Sequence, residues 1–118
     1  MLDFQYKLQQ RIRCKEDFDR TIKGGKRLFG DDFIFYYRSN DLSQARLGML
    51  IGKKKCRLAV TRNQLRRQIR EHFRLEQHAL AGFDLVVTLK SMTTKALIQE
   101  RIACLEKMFL QLHHSVSS

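Results

Sequence analysis

Arg62, Arg66 and Arg70 stand four residues apart inside the run Arg62-Asn63-Gln64-Leu65-Arg66-Arg67-Gln68-Ile69-Arg70. On a helix that spacing builds one continuous ridge. Guanidinium groups so arranged suit a phosphate backbone, because each planar fork can bind two phosphate oxygens at once. Asn63 adds a neutral donor and acceptor within the ridge, able to reach a sugar hydroxyl or a base edge. Lys53-Lys54-Lys55 and Arg57 lead into the same segment and extend its charge, and the free amides of a helix N-terminus attract phosphate as well. From Arg46 to Arg74 the chain carries ten Lys or Arg residues and one acid, Glu71, a net of nine out of the eleven positive charges of the whole chain. A merely solvated helix face normally interleaves both signs to form i,i+4 pairs. Here the pairs are missing, so the segment is read as a surface for a polyanion.

A second chemistry is available to Phe33-Ile34-Phe35-Tyr36-Tyr37. Strand alternation puts Phe33, Phe35 and Tyr37 on one face and Ile34 and Tyr36 on the other. One face must meet the core. If the other is open, Tyr36 is a stacking platform for a single-stranded base; the plainer alternative is that both faces are core. No catalytic constellation accompanies these residues. Asp31-Asp32 and Asp41 fall in turns, no Ser-His-Asp arrangement suggests itself, and the glycines form no phosphate-cradling loop. Cys14, Cys56 and Cys104 are odd in number and widely spaced, which indicates reduced structural thiols rather than a disulfide framework or a zinc motif. His72, His78, His113 and His114 have no partner at ligand spacing, so no metal site is expected.

Composition agrees with a small nucleic-acid binder. At 118 residues the chain is one domain, 1–118, and 43% hydrophobic content suffices for a single modest core. A net charge of +11 and a pI near 10.1 meet the first test for nucleic-acid binding, though binders of membrane surfaces and acidic proteins share it. No apolar run approaches the roughly 20 residues that a membrane span needs, and Met1-Leu2-Asp3-Phe4-Gln5 lacks a signal pattern. The expected location is the cytoplasm.

The elements that must position these side chains follow from periodicity. Lys15 to Lys23 reads as a short helix with Phe18, Ile22 and Cys14 at i,i+4 spacing, stopped by Gly24-Gly25. Phe33–Tyr37 and Arg46–Ile51 read as strands joined through the turn signal Ser39-Asn40-Asp41, hence as a hairpin. A long helix is predicted from about Arg57 to about His78, with Leu58, Leu65, Ile69 and Phe73 as its apolar stripe and Ala81-Gly82 as its end. Phe83–Leu89 reads as a buried strand. Lys95 to about Leu112 reads as a final amphipathic helix with Leu97, Ile98, Ile102, Leu105, Phe109 and Leu112 inward. The ends, 1–10 and 113–118, read as loose. The order implies an α+β fold, a two-layer sandwich of a small sheet with helices on one face.

With these residues in view, the chain resembles the protein subunit of bacterial ribonuclease P. Arg62-Asn63-Gln64-Leu65-Arg66-Arg67-Gln68-Ile69-Arg70 is similar to that family's signature helix, Arg-Asn-x-x-Lys/Arg-Arg-x-x-Arg. Arg46-Leu47-Gly48 through Lys53-Lys54-Lys55 to Ala59, the start Arg11-Ile12-Arg13 with Glu16-Asp17-Phe18, and Phe83-Asp84-Leu85-Val86-Val87 also fit. The resemblance spans about residues 8 to 112. It implies a small α/β sandwich with a left-handed βαβ crossover, an exception to the usual hand. It implies an accessory subunit of an endonuclease that removes the 5′ leader of precursor tRNA, with catalysis by a large RNA that holds most of the Mg²⁺ and no metal bound tightly by the protein. The implied partners are that catalytic RNA and precursor tRNA, with one protein monomer per RNA. By position, Arg62, Asn63, Arg66, Arg67, Arg70, Lys53, Lys54, Lys55, Arg57, Arg11 and Arg13 would contact the RNA subunit. Phe18, Ile22, Ile34 and Tyr36 would line a cleft for the leader. Two positions depart from the family pattern: Arg66 stands where Lys is common, keeping the charge, and Ile22 stands where an aromatic can occur, leaving apolar contact in place of stacking.

Two other readings use the same basic helix. A ribosomal-type or structural RNA-binding protein would need the helix but not a cleft with Phe18 and Tyr36 exposed together. A DNA-binding regulator would place the helix in a major groove, but the ridge offers few base-reading residues and no helix-turn-helix partner is evident.

Overall fold

The computed structural model describes residues 10–117. Helix α1 (Lys15–Gly24) is followed by strands β1 (Lys26–Phe29), β2 (Phe33–Ser39) and β3 (Arg46–Leu50), helix α2 (Ala59–Glu76), strand β4 (Phe83–Leu89), a 3-10 turn (Lys95–Leu97) and helix α3 (Ile98–Ser117). The strands form one sheet in the order β1-β2-β4-β3. β4 runs antiparallel to β2 and parallel to β3. The expected mixed α/β sandwich is present, and β3–α2–β4 is its parallel βαβ unit.

The strand pairing differs from the sequence reading. The expected hairpin between Phe33–Tyr37 and Arg46–Ile51 does not form, because β4 lies between them. The hairpin is β1–β2, closed through Gly30-Asp31-Asp32, with Arg27 opposite Tyr36 and Phe29 opposite Ile34. The reason lies in β4. Its Leu85-Val86-Val87 run is buried on both faces, which suits a strand paired on both sides and covered above and below. The 40–45 connection therefore spans β4 rather than making a tight turn. Asp41, with φ of 58°, and the Leu42 N–H donating to Asn40 Oδ1 at 2.8 Å shape its start. β1 is short, exposed and basic, features that suit a sheet edge.

One sheet face carries Phe33, Phe35, Tyr37, Leu47, Leu85, Val87 and Leu89 into the main core. There α2 contributes Leu65, Ile69 and Phe73, and α3 contributes Leu105, Phe109 and Leu112. Phe109 meets Phe35 edge to face at 4.9 Å and stacks against His72 at 5.4 Å. The fourth position of the α2 stripe is Thr61, not Leu58, which is 59% exposed at the helix N-cap. The helix begins at Ala59, so residue 58 lies before the register starts. The two long helices cover one face as expected. α1 lies on the other: a Cβ on Gly48 would come within 2.5 Å of the Phe18 ring, and Gly48 points away from the core face that Leu47 enters.

Both expected loose ends are partly fixed. Residues 1–9 and 118 lie outside the described residues. Gln10 is buried and donates to Gln77 Oε1 at 2.8 Å, and the Ile12 N–H donates to the Leu47 carbonyl at 2.9 Å. α3 continues past Leu112 to Ser117, with His113 Nδ1 2.6 Å from Glu76 Oε2. The long helix ends at Glu76 instead of near His78. A run of turns then leads to Gly82, whose φ of 87° suits glycine.

Candidate nucleic-acid interface

The stripe Thr61, Leu65, Ile69 and Phe73 fixes the rotation of α2. One residue later in each turn come Arg62, Arg66 and Arg70, all half-buried, while Asn63 and Arg67 are fully exposed. The ridge therefore flanks the buried stripe as the spacing predicts. Its members are not equivalent. Arg62 Nη1 donates to the carbonyls of Cys56 and Arg57, both at 2.9 Å, so this residue braces the incoming loop against the helix. Arg66 Nη1 makes a long 3.4 Å contact with Asn63 Oδ1. Arg70 Nε is buried and has no hydrogen-bond partner among the described residues.

Lys53, Lys54, Lys55 and Arg57 are exposed on the loop that enters α2. That loop is not slack. Gly52 O accepts from the N–H groups of Lys55 and Cys56, and the Thr93 N–H donates to Lys55 O at 2.7 Å. The lysine side chains thus project from a fixed turn next to the ridge. Cys56 beneath them is fully buried, and burial pushes its thiol pKa up against the opposing pull of Arg62 and Arg66. It fits the expected structural thiol, as does half-buried Cys104, whereas Cys14 is exposed.

Two bases of the same stretch are occupied internally. Arg46 Nε donates to Asp84 Oδ1 at 2.8 Å, and its Nη2 lies 2.6 Å from Asp84 Oδ2. Its Nη1 reaches Asp17 of α1 at 3.3 Å. The hydrogen bond to Asp84 is the main reason its pKa is raised. Arg74 pairs with Glu71 one turn back. The polyanion surface is consequently narrower than the basic stretch.

The four expected cleft residues, Phe18, Ile22, Ile34 and Tyr36, are all half-buried. Ile34 and Tyr36 lie on the α1 side of the sheet, opposite the face of Phe33, Phe35 and Tyr37. Phe18 sits over Gly48. Of the four, Phe18 also lines a groove beside the ridge, whereas Ile22, Ile34 and Tyr36 do not. Phe18 and Gly48 share a groove of about 200 Å³ with Arg66 and Arg70, with Arg11 also in its lining. Arg13, by contrast, is exposed and outside that lining. Two arginines of the ridge and one aromatic residue of α1 thus meet beside the β3 edge.

One participant was not read from sequence. Arg27, on β1, places its guanidinium carbon 5.9 Å from the centroid of the Tyr36 ring, within reach of a cation–π contact. A four-residue strand next to Gly24-Gly25 gives no clear periodicity, so nothing local could place Arg27 beside Tyr36. Among the described residues no three His, Cys, Asp or Glu side chains group as metal ligands. What the arrangement can do is bind a phosphate backbone and pack an unpaired base.

Comparison with known proteins identifies the family. A family model described as Ribonuclease P matches residues 6–113. The chain is 37% identical over 102 residues to the ribonuclease P protein component of Coxiella burnetii, covering 86% of this chain and 84% of that one. It is 35% identical over 112 residues to the corresponding protein of Nitrosococcus oceani, covering 95% and 94%. Among solved structures, a Staphylococcus aureus RNase P protein mutant superposes with a TM-score of 0.74 at 27% identity, covering 88% of each chain. The Thermotoga maritima RNase P protein does so at 0.69 and 33% identity, covering 86% of this chain and 95% of that one. With most of its length matched in sequence and in fold, and with the arginine ridge in the expected register, this chain belongs to the ribonuclease P protein family.

Proposed function

We propose that this protein is the accessory subunit of a ribonucleoprotein endonuclease that removes the 5′ leader of precursor tRNA in the cytoplasm. The observation that carries the reading is the shared groove: Arg66 and Arg70 line the same opening as Phe18 and Gly48. In this reading Arg62, Asn63, Arg66, Arg67, Arg70, Lys53, Lys54, Lys55 and Arg57, with Arg11 and Arg13, contact the catalytic RNA. Phe18, Ile22, Ile34 and Tyr36 hold the leader, with Arg27 orienting the Tyr36 ring. The leader strand crosses the β3 edge, so both RNAs are held by one rigid body. One monomer serves one RNA.

The protein's chemical contribution is charge neutralisation and positioning. In this reading the Mg²⁺ on which hydrolysis depends is held mainly by the RNA. The test is cleavage of a 5′-extended precursor tRNA by the RNA subunit at low Mg²⁺, with and without the protein. Cleavage at the mature 5′ end is expected to require both. Tight RNA binding without stimulation would overturn the subunit reading and favour a structural RNA-binding protein.

A further inference from the structure

A second opening lies at the start of α2. Arg57, Leu58, Thr61, Met92, Thr93 and Thr94 line a cavity of about 370 Å³, within the size range of small-ligand sites. It shares no lining residue with the groove of Phe18, Arg66 and Arg70. Leu58 and Met92 are large apolar side chains left 59% and 54% exposed. Thr61 has the opposite problem. It is 1% exposed, and its hydroxyl has no hydrogen-bond partner among the described residues. A helical threonine commonly returns its hydroxyl to the carbonyl four residues back. That carbonyl, of Arg57, already accepts from Arg62 Nη1. A buried hydroxyl left unpaired is unfavourable unless a ligand completes it.

The same corner is electropositive. Leu58 supplies no side-chain cap to α2, and the first turn contains no acid. The leading amides of the helix therefore present the positive end of its dipole, beside Arg57 and the Lys53–Lys55 turn. The walls are also fixed. Arg101, 7% exposed, donates to the Met92 carbonyl at 2.6 Å and to Thr93 Oγ1 at 3.0 Å, and it pairs with Asp32 at 3.1 Å. The Thr93 N–H is bonded to Lys55 O. The opening thus combines apolar walls, one unanswered hydroxyl and a cationic rim without a carboxylate in its lining. An unpaired nucleotide has the complementary parts: a flat apolar face, a polar edge and a phosphate.

We propose that this cavity receives one extruded nucleotide of bound RNA. The base lies between Leu58 and Met92, its edge meets Thr61 Oγ1, and its phosphate rests against Arg57 and the α2 amides. The proposal rests on the RNA-binding reading above. The nucleotide could come from the catalytic RNA or from precursor tRNA, and the test treats them as separate arms. The sequence has four methionines, and of the described Met49, Met92 and Met108, Met92 alone lines the cavity. Protein labelled with ¹³C at the methionine ε-methyl groups is titrated with the RNA subunit alone or with 5′-extended precursor tRNA. A ring-current shift of the Met92 methyl in one arm identifies the source. Leu58→Ala/Met92→Ala, at exposed positions, is expected to weaken binding of that RNA about tenfold, from lost sulfur–aromatic contact and base burial. The slope of affinity against salt stays unchanged, because no phosphate contact is removed. Thr61→Val, which keeps the shape, weakens binding by a few-fold. Wild-type affinity of the double variant for both RNAs, with an unmoved Met92 signal, overturns the pocket. If Arg67→Ala still lowers the salt slope in that case, RNA binding itself stands. Failure of the wild-type protein to bind either RNA salt-dependently sinks both readings. A Met92 shift at high protein concentration without RNA would assign the pocket to a second copy of the chain and overturn the proposal.

Discussion

Arg46 and Arg67 lie in the same basic stretch, but among the described residues Arg46 is paired internally and Arg67 is exposed. Arg46 forks onto Asp84, which is 5% exposed. Arg46→Met leaves that carboxylate without its main partner and is expected to cost about 2–4 kcal/mol in urea unfolding, at the low end of a buried pair because Arg46 is partly exposed. Its RNA salt slope should match wild type. Arg67→Ala should do the reverse, changing stability by no more than about 0.5 kcal/mol and lowering the slope magnitude by about 0.9 on a duplex. If Arg46→Met lowers the slope as Arg67→Ala does, the internal pair is not the resting place of that charge. Thiols offer a simpler check at this scale. Cys14 is exposed and Cys56 is fully buried with its pKa pushed up. A thiol reagent should modify Cys14 at once and Cys56 only as the fold opens. Equal labelling rates would contradict the seating of the loop before α2.

At the scale of elements, α1 is the part whose placement decides whether a cleft exists. It is a ten-residue helix, short enough that packing rather than propensity keeps it formed. The contacts that seat it include the Phe18 ring on Gly48 and Asp17 on Arg46. Gly48→Val drives a branched side chain into the Phe18 ring. The expected cost is about 1–3 kcal/mol from overpacking, with affinity for precursor tRNA falling more than affinity for the RNA subunit. Equal losses for both would show that α1 does not build a separate leader site. Tyr36→Ala leaves the main core untouched, since Tyr36 is on the far sheet face. Loss of a stacking platform is worth about 1–3 kcal/mol, so leader-dependent affinity in the holoenzyme should drop at least about fivefold. No change would make Tyr36 a packing residue only.

Over the whole molecule, a net charge of +11 on 118 residues makes the folded state sensitive to anions. Phosphate-like ions that bind the native surface and not the unfolded chain stabilise it by mass action, about 2.7 kcal/mol at a hundredfold excess over Kd. Melting in sulfate should therefore exceed melting in chloride at equal ionic strength by several degrees. Identical midpoints would mean that the ridge and loop do not form an anion site in the free protein. The arginine register, the core face of β2, the buried character of β4 and most of the inward face of α3 were legible in the sequence, although Leu97 falls in the 3-10 turn outside the core and buried Arg101 and Met108 were missed. The legible features depend on periods of 3.6 and 2, which are local and repeat within one element. Strand order, the side on which α1 packs, the pairing of Arg46 with Asp84 and the place of Arg27 over Tyr36 were not. Each joins residues distant in the chain, and no local period encodes which strand enters the middle of a sheet. The sequence by itself determined that a basic helix with a ridge of arginines beside its buried stripe would form. Only the tertiary structure decided that Phe18 of α1 and Arg66 and Arg70 of α2 line one groove, because β4 inserts between β2 and β3 and leaves β3 as the edge beside them.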